Sequence, residues 1–261
     1  MILDSLPVGW VRTHLDDVTQ IVRGVTFPTS EKRFESGAGL IACLRTANVQ
    51  SQVEWEDLWF IPESYVRNEE QYLRNDDILI STANSYELVG KVARVTQPKF
   101  PSTLGAFISL IRAEAGINPV YIYYLLSSEG IQRSLREMSS TTTNISNVST
   151  GKLKTLLLDL APYPEQTRIV EKLEELFSDL DAGVAELKPA QKKLAQYRQA
   201  LLKAAVEGTL TAAWRTRRAA HGEPLETGAQ LLQRILVERR HRWEEKQLAK
   251  FAAQGKTPPQ D

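Results

Sequence analysis

APYPEQTRIVEKLEELFSDLDAGVAELKPAQKKLAQYRQALLKAAVEG, residues 161–208, decides how the rest of the chain is read. With Leu173 at heptad position a, the a positions are Leu173, Leu180, Leu187, Leu194 and Leu201. The d positions are Leu176, Gly183, Ala190, Tyr197 and Ala204. Leucine at five successive a positions predicts a coiled-coil seam rather than an ordinary amphipathic helix. Small residues at most d positions let a partner helix approach closely. Pro162 and Pro164 stand where a missing N–H costs nothing, and Gly208 stands where a left-handed cap belongs. Pro189 falls at position c, on the solvent side, where it bends the helix without breaking the seam. A helix of about 44 residues is roughly 65 Å long, more than a compact domain needs. It is expected to be a spacer or an assembly rod, or else one arm of a helical hairpin.

Composition sets the class. In 261 residues, 42% hydrophobic and 25% charged content are those of a soluble globular chain of one or two domains. No apolar run approaches the ~20 residues that span a bilayer. The opening MILDSLPVGW has no basic run ahead of an apolar one, so a cytoplasmic protein without membrane association is expected. Cys43 is the only cysteine; it lies in the apolar run LIACL and reads as a buried structural thiol. Lys+Arg balance Asp+Glu at 32 each. Residues 1–161 carry 15 basic and 18 acidic side chains, net −3, and residues 162–261 carry 17 and 14, net +3. Such a chain is no indiscriminate polycation; a nucleic-acid-binding face needs its basic residues gathered on one side.

The remaining pattern is α+β. Leu15, Val18, Ile21 and Val22 recur at a spacing open to a short helix or strand. GLIACLRTANVQ (39–50) reads as a buried strand with Arg45, Thr46 and Asn48 emerging at its C-terminal end. Residues 74–95 read as a turn at Asn75–Asp76, a buried strand at Ile78–Ser81, a polar tip over 82–87 and a strand at Gly90–Val95. A further strand is expected at Ala106–Arg112. Asn118 is a candidate cap and Pro119 the first residue of a helix, followed by a second helix over Glu129–Met138. SSTTTNISNVSTG (139–151) is the most polar tract and is expected to be an irregular loop returning the chain to the sheet. Beyond Gly208 a basic linker, broken by Gly222 and Pro224, leads to a helix over 230–252. There Leu231, Leu232, Ile235, Leu236 and Trp243 oppose Arg234, Arg239, Arg240 and Arg242. The expected divisions are a globular domain over 1–161, the long helix over 162–208, and a basic linker with a C-terminal helix over 209–261.

Enzyme signatures are missing. There is no phosphate-binding Gly-rich loop, no HExxH, no Cys/His cluster and no Asn/Asp-Pro-Pro-aromatic tetrapeptide for amino-group methylation. His14, His221 and His241 are scattered and read as solvated or structural. The polar tracts are the candidate sites, because Asn, Ser, Thr, Tyr and Arg projected from a rigid scaffold can hydrogen-bond base edges and phosphates. The plainer reading is that they are solvated loops, and that Arg45, Lys91, Arg94, Arg112, Arg133 and Lys152 are ordinary surface charges.

LPVGWVRTHLDDV, LRTANVQ, NDDILISTANSYELVGKVARV and TTTNISNVSTGKLKTLLLDLAPYPEQTRIVEKLEELF, in this order, resemble the specificity subunit of type I restriction–modification systems. The likeness covers essentially the whole chain, and PYPEQTRIVEKLEELF is its sharpest part. It implies that residues 1 to about 160 form a target recognition domain reading one half of a bipartite sequence in double-stranded DNA. The long helix is then the spacer that docks the modification (methyltransferase) subunits. The resemblance implies a non-catalytic chain without cofactors: S-adenosylmethionine, ATP and Mg belong to the modification and the restriction/translocase subunits.

Under that resemblance Arg45, Asn48, Asn84, Ser85, Tyr86, Thr142, Thr143, Asn144, Ser146 and Asn147 lie at or beside the base-reading loops. Lys91, Arg133 and Lys152 are assigned to phosphates. Leu173, Leu176, Leu180, Leu187, Leu194, Tyr197 and Leu201 form the assembly seam. The usual subunit carries two recognition domains and two spacer helices; this sequence has one of each. It is expected to be a half-length subunit that self-dimerises through the long helix, or one half of a longer protein. A different class of reading is an assembly adaptor whose globular domain binds a protein instead of DNA.

Overall fold

The computed structural model describes residues 6–142, 145–222 and 226–255. In chain order the first elements are β1 (Val11–His14), α1 (Leu15–Val18), β2 (Thr19–Arg23), β3 (Leu40–Leu44), β4 (Trp59–Pro62), β5 (Ile78–Ser81) and β6 (Ala83–Asn84). They continue with β7 (Val92–Arg94), β8 (Ser102–Leu104), β9 (Ile108–Ala113), α2 (Pro119–Ser127) and α3 (Glu129–Met138). Next come β10 (Ser140–Thr142), β11 (Ile145–Asn147), α4 (Thr150–Lys154) and β12 (Leu157–Leu160). The chain then runs into α5 (Tyr163–Val206), α6 (Ala212–Ala220) and α7 (Gly228–Ala253). The expected α+β class, with a long helix and a later one, is the class observed. The chain divides into two compact units, Met1–Ala182 and Gly183–Asp261.

The first unit is built around the antiparallel sheet β2-β9-β5-β7. Strand side chains alternate between faces, and in β5 both faces are apolar, so ILIS is buried throughout. Ile78 and Ile80 join Leu15, Ile111, Tyr121, Ile122 and Leu135 in one core cluster. Leu79, between them, joins Leu44, Leu104, Ile108 and Leu110 in another. A second sheet, β4-β3-β8, pairs β3 and β8 in parallel. The third pairing, β1 with β12, brings the two ends of the unit together. At the N-terminus the ambiguous spacing of Leu15, Val18, Ile21 and Val22 resolves into one helical turn between two strands. The Asn118 carboxamide caps α2 as expected, accepting from the N–H groups of Val120 at 2.9 Å and Tyr121 at 3.3 Å.

Arg112, read from the sequence as a surface charge, is a core ion pair. Its Nε and Nη2 each lie 2.8 Å from a carboxylate oxygen of Asp77, which is 1% exposed. Asp77 also accepts from the Arg74 N–H at 2.6 Å, closing the turn in which Asp76 takes φ 65°. The compact unit extends to Ala182 because the first turns of α5 pack on it. Val170 and Gln166 are buried there, and Gln166 donates to the Ala161 carbonyl at 2.8 Å. Tyr121 donates from its hydroxyl to the Asp159 carbonyl and accepts from the Ala161 N–H.

The second unit is helical. Gly208, at φ +72°, ends α5 in the left-handed conformation expected of a cap. Residues 212–220, expected as part of a linker, form α6 because Ala212, Ala213, Ala219, Ala220 and the Arg residues between them are good helix formers. Thr227 and Gln230 exchange side-chain and backbone hydrogen bonds in a capping box that starts α7. Two Arg side chains of α7 pair one turn along their own helix, Arg240 with Glu244 at 2.9 Å and Arg242 with Glu238 at 3.2 Å, and Arg234 pairs with Glu226 ahead of it at 3.0 Å. Among the described residues no helix is long and apolar enough to cross a membrane.

Candidate nucleic-acid interface

The Ser/Thr/Asn tract, expected to be irregular, is a β-hairpin. β10 and β11 pair antiparallel, Ser140 with Asn147, Thr141 with Ser146 and Thr142 with Ile145. β6 adds a third strand from far earlier in the chain, with Asn84 opposite Ser146, 62 residues on, and Ala83 opposite Asn147. Thr141, Thr142 and Ile145 are β-branched and fit a pleated strand, and the 82–87 segment supplies the missing edge. The hydroxyls of Thr141 and Ser146 lie 2.9 Å apart, and Val148 N–H donates to the Thr82 carbonyl at 2.9 Å. Lys152 fastens the hairpin base, its Nζ donating to the Met138 carbonyl at 2.6 Å and to Ser140 Oγ at 2.9 Å.

Three other loops join this hairpin at one end of the sheet. Arg45 opens a tight turn in which the Asn48 carboxamide accepts from the Arg45 N–H at 2.9 Å and donates to the carbonyls of Glu54 and Glu56. Gln50, at the end of that turn, hydrogen-bonds Lys91 Nζ, and Lys91 O accepts from Ser81 N–H just ahead of the hairpin strand. The β8–β9 turn closes the group: the Phe107 carbonyl accepts from the N–H of Thr82 at 2.9 Å and of Ala83 at 3.4 Å. Beside it lies a cavity of about 390 Å³ lined by Phe27, Lys32, Arg45, Trp59 and Phe107 among others. Gly24 makes this wall possible, since a Cβ there would meet the Gly105 carbonyl oxygen at 2.2 Å. A wider cleft, about 780 Å³, lies between 52–56 and 96–99, but Glu54 and Glu56 in its wall disfavour an anionic ligand.

The structure therefore gathers Arg45, Asn84, Ser85, Tyr86, Lys91, Thr142, Ser146, Asn147 and Lys152 on one contiguous group of loops. Tyr86, Thr142 and Asn147 are exposed there, and Ser146 is buried under its own strand pairing. Asn48 is 2% exposed and holds the loop that presents Arg45. Arg45 pairs with Asp57, and Arg133 pairs with Glu129 one turn away at 3.0 Å, on the exposed side of α3. Thr143 and Asn144 lie outside the described residues. Sequence reasoning missed Phe107, Lys32 and Gln50; only Lys32 carries a local signal, its charge in a Gly/Ser/Thr-rich loop. Among the described residues no group of three or more His, Cys, Asp or Glu is placed to hold a metal.

The α5 side chains of the expected seam stand open. Leu173 is half-buried, while Leu180, Leu187 and Leu194 are 62%, 68% and 69% exposed, with Leu176, Tyr197 and Leu201 also exposed. This arrangement of a mixed sheet, a polar hairpin end and a long leucine-striped helix has known counterparts. The sequence pattern described as the type I restriction modification DNA specificity domain matches residues 7–187. The chain belongs to that family. The specificity subunit of the StySPI type I restriction enzyme of Salmonella potsdam is 30% identical over 212 residues, 81% of this chain and 45% of that protein. The EcoKI specificity subunit of Escherichia coli K12 is 29% identical over the same lengths. The chain thus spans about half the length of these relatives. The HsdS subunit of Thermoanaerobacter tengcongensis shares the fold with a TM-score of 0.52 at 22% identity, over 68% of this chain and 40% of that one. A chain from a study of the assembly and conformational transition of a type I restriction–modification system gives 0.59 at 23%, over 77% and 46%. Within the family, the PYPEQT segment now has a structural meaning: Glu165 accepts from Trp10 Nε1 at 3.1 Å, and Gln166 is buried where α5 leaves the sheet.

Proposed function

We propose that the first unit reads one half of a bipartite sequence in double-stranded DNA, and that the chain acts as the non-catalytic specificity subunit of a cytoplasmic methyltransferase–endonuclease complex. The observation that carries this reading is the pairing of Asn84 with Ser146. It joins two segments of polar, base-compatible side chains, the paired residues 62 apart in sequence, on one rigid edge. Arg45 and Lys91, held on the neighbouring loops, supply positive charge, and amide or hydroxyl side chains on strands can reach base edges in the major groove. The α5 seam docks modification subunits and pairs with a second copy of itself, so that two half-sites are read by two chains. The restriction/translocase subunit joins that complex.

The test is the methylated sequence itself. Genome-wide methylation with and without this gene should differ at one bipartite motif, palindromic if two identical chains read it. Binding of the chain with its methyltransferase partner to that motif should weaken steeply with salt, because phosphate neutralisation releases counterions. Binding that is insensitive to salt and to sequence would leave the unit as a protein-binding adaptor instead.

A further inference from the structure

Phe107 is 65% exposed on the short turn between two buried strands, although Leu104 and Ile108 on either side of it are fully buried. Its backbone is fixed to the reading hairpin by the two hydrogen bonds from Thr82 and Ala83. On its other side it lines the cavity that holds Lys32 and Arg45. Lys32 Nζ sits 3.5 Å from the centroid of the Trp59 ring and is joined to no carboxylate among the described residues. Arg45, 5.2 Å from the same ring, already has Asp57. An apolar face and an ammonium joined to no carboxylate, lining one cavity, are complementary to a nucleotide: an apolar base edge beside a phosphate.

Resting on the DNA-reading function above, we infer that Phe107 and Lys32 form a thymidine subsite of the recognition face. Phe107 contacts the 5-methyl group of one thymine in the major groove, and Lys32 takes a phosphate flanking it. Apolar contact with that methyl is the one major-groove feature of an A·T pair that hydrogen-bonding side chains cannot read. On the hairpin Asn84 and Asn147 present amides, and Ile145 is its one exposed large apolar side chain among the described residues; Phe107, on the turn bonded to Thr82 and Ala83, adds a second apolar contact.

The test is a cycle of Phe107→Ala against replacement of each thymine of the half-site by uracil, which deletes only the methyl. It is read as the dissociation constant of the assembled complex on duplex DNA. The wild type should lose about three- to tenfold in affinity at one thymine, and Phe107→Ala should lose nothing more there. Lys32→Gln should weaken binding to every sequence alike and lower the salt slope by about one. An unchanged unfolding midpoint shows that the exposed Phe107 has not been needed for folding. If no thymine responds to uracil, or if Phe107→Ala and uracil add at every position, the subsite is wrong while specific DNA binding stands. If no duplex is preferred over random DNA, the DNA-reading function itself fails.

Discussion

Gln166, on the first turn of α5, accepts a hydrogen bond at 2.9 Å from the backbone N–H of Asn118, the residue that caps α2. Its Nε2 donates to the Ala161 carbonyl, so one carboxamide ties the start of the long helix to both the sheet and the helical layer. The side chain is 1% exposed, so removing it leaves a part-buried N–H and a buried carbonyl without this partner. Gln166→Ala should cost about 1–3 kcal/mol in denaturant unfolding. Exchange of the Asn118 amide hydrogen should quicken as well. A neutral result on both would mean that water replaces the carboxamide.

The Asp77–Arg112 pair predicts a sharper loss. Removing one partner leaves a charge in the core, so Asp77→Ala should destabilise by about 3–5 kcal/mol. Replacing both with apolar residues of similar volume should recover most of it. That contrast, measured as a double-mutant cycle, separates the cost of an orphaned charge from the worth of the pair.

Cys43 and Tyr121 set the alkaline limit. Burial pushes the Cys43 thiol up to about 12 from an ordinary 9.0, against the small opposing pull of the Lys32 charge. Burial raises Tyr121 too, although the Ala161 N–H bonded to its oxygen favours the ionised form. Both groups keep their protons in the native state at a pH where the unfolded chain releases them. Their contribution is therefore fully present below pH 9 and lost as pH rises through 9 toward 12. Stability measured from pH 7 to 10.5 should fall only in the upper part of that range. At pH 8 iodoacetamide should label Cys43 slowly in the native protein and fast in denaturant.

Much of this fold is legible in sequence, and the exceptions share a cause. Ile78–Ser81, the Asn118 cap and the limits of α3 follow from apolar runs and capping residues, all of which are local. The 139–149 tract is not local: its strands exist because Asn84 and Ala83 lie alongside, and a two-residue strand carries no period to detect. Asn48 and Asn84 look alike in sequence, yet the first is buried inside its own turn and the second stands half-buried on a strand opposite Ser146. Arg112 looks like any surface arginine until Asp77, 35 residues away, is placed opposite it. Phe107 gives no signal at all, because only the fold decides that this phenylalanine faces outward.

The hairpin gives a prediction about specificity. Asn84→Ala removes a carboxamide whose Oδ1 accepts from Ser85 N–H at 2.9 Å and whose Nδ2 reaches Ser81 Oγ at 3.3 Å. If Asn84 reads a base, the variant should accept substitutions at one position of the methylated motif, at a cost of about 1–3 kcal/mol for the original sequence. Lys152→Ala, expected from the sequence to weaken all binding evenly, should also blur the motif, since its ammonium holds the hairpin base. Sequencing of methylated sites in both variants distinguishes the roles. An unchanged motif in Asn84→Ala removes that residue from the reading set.

The α5 seam gives the last. Leu180, Leu187 and Leu194 together leave a stripe of large apolar side chains in water along one helix, and burying each is worth about 1.5–3 kcal/mol. Single exposed leucines are ordinary, but leucines at strict sevens are what a facing helix needs. Gly183 and Ala190, at the d positions between them, have small side chains that let that helix come close. A second copy of the chain supplies an identical stripe, and a two-fold antiparallel pairing satisfies both at once. At micromolar concentration the purified chain should therefore sediment as a dimer. Leu187→Lys with Leu194→Lys should convert it to a monomer while leaving the unfolding of the first unit unchanged, because those side chains lie beyond Ala182. A wild-type monomer would mean that the seam is reserved for a different partner, and mixing with methyltransferase subunits should then bury it.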